Sequence, residues 1–158
     1  MERLSQIDFE SPDSCYLFPL QFRDGEINFF VHFDQESDNS NSRPLILEFL
    51  ERVEELANIA HASMPKDDVE FTDYYSAHLH EAGYAVGNEL LRKIYGRVDR
   101  DSVTREDFHQ ALKIANVSFI TKTQCGVFDF SPDPQEYDQW LAMTVQLNGT
   151  PRDLSWES

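Results

Sequence analysis

Hydrophobic and polar residues alternate most regularly near the end of the chain, over residues 140–147. This period of two predicts a strand with one face on a core. Asn148-Gly149 follows, a pair suited to the positive φ angles of a tight hairpin turn, and the chain returns through Leu154 and Trp156. The core face of the predicted strand consists of Leu141, Met143, Val145 and Leu147.

Two further segments with the strand period precede this one, Val117–Thr121 and Val127–Phe130. A turn near residues 124–126 separates them, and the loop over residues 131–138, which contains two prolines, leads into Trp140. We therefore expect the segment from Val117 onward to form consecutive antiparallel strands.

A second run of alternation lies near the beginning of the chain and predicts a β-hairpin. Its turn is predicted at Asp24-Gly25, and Pro19 places the first strand at an edge or a bulge because proline cannot donate a ladder hydrogen bond. The inward faces of the two strands are predicted to be Tyr16, Phe18, Leu20 and Phe22, and Ile27, Phe29, Val31 and Phe33.

The middle of the chain changes to a helical period. Asn41 or Ser42 can cap a helix that carries Pro44 in its first turn and is closed by Pro65. Apolar residues recur along it at steps of three and four, while Glu48, Glu51 and Glu55 fall on the opposite face. The predicted apolar stripe is Ile46, Phe49, Leu50, Val53, Ala57, Ala60 and Met64.

Three more helical segments are predicted after Pro65. One runs from Asp67 or Asp68 to Ala82, and Asn88–Tyr95 forms a short helix stopped by Gly96. Thr104 and Asp107 resemble a capping box that opens a last helix, which we expect to continue through Ala115.

Strands and helices are therefore segregated along the chain. This order predicts an α+β fold: an antiparallel sheet, made of the N-terminal hairpin and the C-terminal meander, with three or four helices packed on one face. The length of 158 residues and the absence of an internal repeat or a long linker favour one domain over residues 1–158.

The net charge limits the classes of partner that the chain can bind. The net charge is −16, from 13 Lys and Arg against 29 Asp and Glu. Such a balance repels phosphate backbones and anionic lipid, so nucleic-acid and membrane binding are disfavoured, while basic partners are attracted. No basic start followed by an apolar run and no membrane-length segment is present, so a cytoplasmic location is expected.

Candidate catalytic and metal-binding residues are few. His78 and His80 are two apart on a predicted helix and point away from each other, and neither Cys15 nor Cys125 belongs to a zinc or redox motif. We therefore predict no metal, no cofactor and no enzyme. An enzyme stays open only if the fold gathers His32, His61 or His80 with carboxylates.

The negative charge is unevenly distributed. Residues 34–81 carry twelve acidic and three basic residues, a net charge of −9, whereas residues 89–113 have a net charge of +1. An anionic face can simply be solvated, or it can orient a basic protein. If it binds a partner, the residues that we expect to do so are Glu48, Glu51, Glu55, Asp67, Asp68, Glu70 and Asp73.

The C-terminal pattern Trp140-Leu-Ala-Met-Thr-Val-Gln-Leu-Asn-Gly149, followed by Asp153-Leu-Ser-Trp-Glu-Ser158, resembles the ending of an uncharacterised bacterial family. That family is the domain of unknown function two thousand and four. The resemblance implies an acidic protein of similar size with a helical middle and a terminal strand. It supplies no catalytic residues.

Two functional hypotheses follow. Small acidic α+β proteins are similar as a class to immunity proteins that neutralise bacterial toxins, so the first hypothesis is a non-enzymatic inhibitor of a basic partner. The second is a structural or self-associating domain without a toxin partner, which associates through an exposed sheet edge at the strand containing Pro151 or the one containing Pro19. A homodimer is one form of this association.

Overall fold

The computed structural model describes residues 2–23 and 25–157. Within these residues the chain forms four α-helices and one six-stranded sheet, together with two short 3-10 helices at Glu2–Gln6 and Arg100–Ser102. The helices are α1 Ser42–Ser63, α2 Val69–His80, α3 Asn88–Tyr95 and α4 Arg105–Ala111. The strands are β1 Cys15–Phe22, β2 Gly25–His32, β3 Lys113–Ile120, β4 Cys125–Ser131, β5 Trp140–Gln146 and β6 Pro151–Glu157.

The strands lie in the sheet in their sequence order, from β1 to β6. β1 and β2 form the N-terminal hairpin, and β3 to β6 form the C-terminal meander. The sheet is mostly antiparallel, which confirms the predicted α+β class. Parallel pairing occurs between β2 and β3, where Asn28 lies opposite Asn116 and His32 opposite Ile120. The hairpin is therefore joined to the meander after the intervening helices.

The chain divides into two compact units. The first comprises the chain up to Ser63, Asn116–Phe128 and Met143–Asp153. The second comprises Met64–Ala115, Asp129–Ala142 and the chain from Leu154 onward. One boundary follows α1 at Ser63 and the other four fall within strands β3 to β6. Each unit is described separately below.

Phe49 of α1 is the centre of the first unit. Its ring stacks on that of Phe119 with 4.7 Å between the ring centroids, and Phe29 and Phe128 lie at 5.9 and 6.1 Å. Gly126 admits this ring, because a Cβ atom at that position would lie 2.5 Å from Cε2 of Phe49. Helix α1 and strands β2, β3 and β4 therefore pack around one aromatic stack. This stack leaves no space for an additional carbon atom at residue 126.

The predicted stripe of α1 is confirmed with one addition, Leu56, which is fully buried. Leu50 is only half-buried, and Met64 is buried just beyond the end of the helix at Ser63. At the hairpin, Gly25 is the first residue of β2, whereas Asp24 of the predicted turn lies outside the described residues.

The ends of the helices in the second unit follow local chemistry. Asp68 caps α2 by accepting a hydrogen bond from the backbone N–H of Glu70. Thr104 and Asp107 form the predicted capping box of α4. Helix α3 has the predicted bounds and ends at Gly96, whose φ of 72° lies in the left-handed region that glycine adopts without strain.

Two predicted helix ends are wrong. Helix α2 ends at His80 rather than at Ala82, and α4 ends at Ala111 rather than at Ala115. Residues 113–115 instead begin β3, where Ile114 is buried. Because these residues follow a helical pattern without a break, local sequence predicted helix, and the sheet ladder overrides that preference.

Among the described residues, no helix has both the length and the apolar character that crossing a membrane requires.

We expect Gly126→Ala to lower the free energy of unfolding by about 1–3 kcal/mol, because the new methyl group collides with a ring that its neighbours hold in place. The matched control is Gly25→Ala, since a Cβ atom there meets nothing within 4 Å. Urea unfolding of both variants measures the difference. Equal stabilities would show that the Phe49 stack relaxes freely.

Candidate binding surface

The seven acidic residues predicted to bind a partner occupy two places. Three lie on α1 in the first unit, and four lie around the start of α2 in the second. In each group, some carboxylates are engaged by the fold and others are not. We name those without a hydrogen bond or ion pair from the described part of the chain the open acids: Glu48, Glu51, Asp67 and Asp73.

On α1, Glu48 and Glu51 are exposed, and Glu55 is engaged. Arg52 holds Glu55 with two hydrogen bonds of 2.9 Å, from Nε and Nη2, and also donates to the carbonyl oxygen of Leu147. The hydrogen bond with Arg52 lowers the pKa of Glu55. The guanidinium is therefore shared between a neighbouring carboxylate and the backbone. Glu48 acts on Arg52 only through its charge.

Around the start of α2, Asp67 and Asp73 are exposed, while Asp68 and Glu70 support the fold. Asp68 is the helix cap described above. The carboxylate of Glu70 accepts a hydrogen bond of 3.0 Å from the backbone N–H of Trp156 on β6. Since β6 is an edge strand, Glu70 satisfies a backbone donor that would otherwise face water or another strand.

Three arginines of the second unit are used internally. Arg100 donates to the carbonyl oxygens of Leu79 and Val86, and Arg105 donates to the carbonyl oxygen of Lys66. Arg97 pairs with Asp107 at 2.6 Å. Their guanidinium groups hold segments of the backbone together. The net charge of +1 over residues 89–113 therefore does not neutralise the open acids Asp67 and Asp73 where they lie.

Two lysines pair with acids that were not predicted to bind a partner. Lys93 contacts Asp133 at 2.7 Å in the second unit, and Lys122 contacts Asp34 at 2.6 Å in the first. The pKa of Asp34 falls to about 2 through hydrogen bonds, of which the one from Lys122 has the largest effect. Within the part of the chain that the structure describes, no lysine is paired with an open acid.

Among the histidines, His80 lies near a carboxylate, with 3.9 Å between its Nε2 and Oδ1 of Asp101, and both side chains are exposed. His78 is fully buried, and its Nε2 lies 2.9 Å from the hydroxyl of Tyr95. Burial, with a smaller effect from Arg100, lowers the pKa of His78 to about 3. His32 and His61 lie in the first unit and His80 in the second. In the described part of the chain, no group of three or more His, Cys, Asp and Glu residues is arranged to hold a metal ion.

Sequence reasoning missed one surface feature, the contact between Tyr84 and Trp156 in the second unit. Their ring centroids lie 5.6 Å apart. Tyr84 follows α2 and Trp156 is in the last strand, so about 70 residues separate two side chains that only the fold brings together. The only local signal was one large aromatic residue at each position, Tyr84 among small residues and Trp156 beside Ser155 and Glu157.

In comparisons with known proteins, no family model, curated protein or solved structure matches this chain. The resemblance of the last strands to an uncharacterised bacterial family therefore stays a hypothesis.

The two adjacent aspartates at the start of α2 make a matched test of engaged and open acids. We expect Asp68→Ala to cost about 1 kcal/mol of unfolding free energy through loss of the helix cap, and Asp67→Ala to change it by less than about 0.5 kcal/mol. Both variants remove one negative charge, so the difference in denaturant midpoint isolates the cap. Equal losses would contradict the assignment of Asp68.

The buried imidazole of His78 predicts a pH dependence of stability. Its pKa is about 3 in the folded protein, whereas an unfolded histidine titrates near 6.5, so the unfolded chain binds more protons between these values. We expect the unfolding free energy to fall as the pH drops from about 6.5, by a total on the order of 4 kcal/mol from this residue.

This pH dependence is measured by chemical unfolding of the wild type and of His78→Leu across that pH range. The variant should show a shallower decline, since its side chain has no proton to gain. Tyr95→Phe is the control, because it removes the same hydrogen bond and keeps the imidazole. Parallel curves for wild type and His78→Leu would exclude His78 as the source.

Proposed function

We propose that this chain is a non-enzymatic, acidic protein-interaction domain that acts in the cytoplasm and covers a basic surface of another protein. An immunity-like inhibitor of a toxin is the form of this function that the class of small acidic α+β proteins favours. The partner would be a protein rather than a nucleic acid or a membrane, because the net charge of −16 repels polyanions.

The observation that supports this proposal is the presence of open acids in a chain in which several arginines bond to the protein's own backbone and carboxylates. Glu48 and Glu51 project from α1 in the first unit, and Asp67 and Asp73 project at α2 in the second. Keeping carboxylates without cations costs stability through repulsion. The same charges speed association with a basic protein and orient it on approach.

A second candidate function is self-association through a sheet edge, and the position of β1 favours it. β1 and β6 are the two edge strands, as expected for strands that contain Pro19 and Pro151. Leu17 of β1 is 56% exposed, which is unusual for a large apolar side chain on a strand. Glu70 occupies a backbone donor of β6, so β1 is the more available edge.

The protein used as bait in its native lysate tests the first function. At about 50 mM salt we expect captured proteins to be predominantly basic, and at about 500 mM salt we expect them to be released, because screening shortens the reach of the charges to a few Å. Mass spectrometry identifies the captured proteins and therefore their charge.

Two double variants assign the capture to a unit: Glu48→Gln with Glu51→Gln, and Asp67→Asn with Asp73→Asn. The matched control removes two other exposed carboxylates, Glu36→Gln with Glu89→Gln, so that the change in net charge is the same. We expect reduced capture from at least one of the first two variants and not from the control.

Capture that is indifferent to salt, or a set of captured proteins without a basic member, would contradict the proposal.

Light scattering of the purified chain tests the second candidate. A stable homodimer that Leu17→Lys dissociates, with no other partner, would favour self-association.

A further inference from the structure

The Tyr84–Trp156 corner is the place where an exposed aromatic surface coincides with open negative charge. The term denotes the two rings, whose planes are inclined by 73° in a T-shaped contact. Tyr84 is 40% exposed and Trp156 is half-buried. Of the large exposed hydrophobic residues in the described ranges, namely Leu17, Val69, Tyr84 and Val98, only Tyr84 is aromatic.

The fold holds the indole of Trp156 rigidly. Its Nε1 donates to the side-chain oxygen of Gln139 at 3.1 Å, its backbone N–H donates to Glu70, and its inner side packs on Tyr74 with 5.7 Å between centroids. A side chain fixed in this way loses little conformational entropy when a partner binds. The indole of Trp156 is therefore held in one position before any partner binds.

Tyr84 is fixed by the turn that ends α2. The backbone N–H groups of Tyr84 and Ala85 both donate to the carbonyl oxygen of Glu81, at 3.1 and 2.8 Å, and Gly83 takes the positive φ of 91° that the turn requires. The same turn exposes the side chain of Glu81 three residues before the ring. The aromatic face and a carboxylate are thus held in one short segment.

A second carboxylate, Asp138, stands beside Gln139 and is exposed. The charges of Asp138 and Glu81 both act on the hydroxyl of Tyr137, whose pKa is raised to about 12, chiefly by burial and further by these two carboxylates and Tyr84. Glu81, Asp138 and Tyr84 therefore all lie within electrostatic reach of one hydroxyl group. Neither acid has an ion pair with Lys, Arg or His in the described part of the chain.

The hydroxyl of Tyr137 is the third polar element of this region. It is buried and finds no hydrogen-bond partner among the residues that the structure describes. Buried hydroxyl groups normally have a partner, so this hydroxyl leaves hydrogen-bonding capacity unused within the second unit.

We propose that the Tyr84–Trp156 corner, flanked by Glu81 and Asp138, binds an arginine side chain of a basic protein. Aromatic faces attract cations, arginine stacks on them more often than lysine, and nearby carboxylates can accept its N–H groups. Tyr, Trp and Arg also dominate the residues on which binding energy concentrates. This inference rests on the proposed function, since the arginine belongs to the basic partner.

A hexa-arginine peptide is the probe, and the full chain with Trp140→Phe is the protein, so that Trp156 is the one remaining tryptophan. Fluorescence of Trp156 reports binding at the corner, while anisotropy of a labelled peptide reports binding anywhere on the chain. At low salt we expect the peptide to quench Trp156 and a hexa-citrulline peptide, which has the same shape without the charge, not to do so.

Tyr84→Ala should weaken the peptide affinity by about 2- to 30-fold, the range that one cation–aromatic contact contributes. Tyr84→Phe should bind like the parent chain, because it keeps the aromatic face. Val98→Ala is the matched control, since Val98 is 41% exposed and lies in the same unit. None of these changes alters the net charge.

The outcomes separate this inference from the proposed function. The corner is not the arginine site if anisotropy shows binding while the fluorescence of Trp156 does not change, or if Tyr84→Ala binds the peptide like Val98→Ala. In either case the acidic surface still binds a basic peptide, and the proposed function stands. If anisotropy shows no binding at low salt, both proposals fail. A homodimer that Tyr84→Ala dissociates would assign the corner to a second copy of the chain and overturn the inference.

Discussion

The parallel pairing of β2 with β3 is the contact on which the rest of the fold depends. It joins strands separated by about 80 residues, and closing a loop of that length costs roughly 4 kcal/mol of chain entropy. The pairing is strengthened at both ends: Asn28 contacts Asn116 at 3.3 Å, and both the backbone N–H and the hydroxyl of Thr121 donate to the carbonyl oxygen of His32 at 3.0 Å. The aromatic stack around Phe49 then covers the joined strands, with Phe29 and Phe119 contributed by the two paired strands themselves.

The distribution of charge follows from how the two kinds of ionised side chain are used. Long arginine side chains reach backbone carbonyls across turns, as Arg100 does at Leu79 and Val86, and so become part of the scaffold. Short acidic side chains near helix starts are either caps, like Asp68, or left in water, like Asp67. A chain with few cations and this division of roles keeps unpaired negative charge at its surface. Under the proposed function, these charges attract a basic partner without any rearrangement of the chain, because they are exposed before the partner arrives.

Local signals account for what the sequence predicted well. Helix α3 is bounded by Gly96, α4 begins at a capping box, and the turn after β5 contains Gly149 with a φ of 92°; each depends on a few neighbouring residues. The end of α4 and the β2–β3 pairing depend on the sheet and were not predictable from neighbours. The exposure of Glu48, Glu51, Asp67 and Asp73 was predicted from helical period and charge, whereas the Tyr84–Trp156 corner was not, because no periodicity links distant residues.

The β2–β3 pairing also sets an order of events during synthesis. The hairpin leaves the ribosome about 80 residues before β3, which corresponds to roughly 4–16 s at translation rates of about 5–20 residues per second. Throughout that interval the inner edge of β2, with Phe29 and Val31, has no native strand beside it. For seconds, therefore, the nascent chain exposes an unpaired apolar edge of β2 that only β3 will cover. During this interval the edge is accessible to a chaperone.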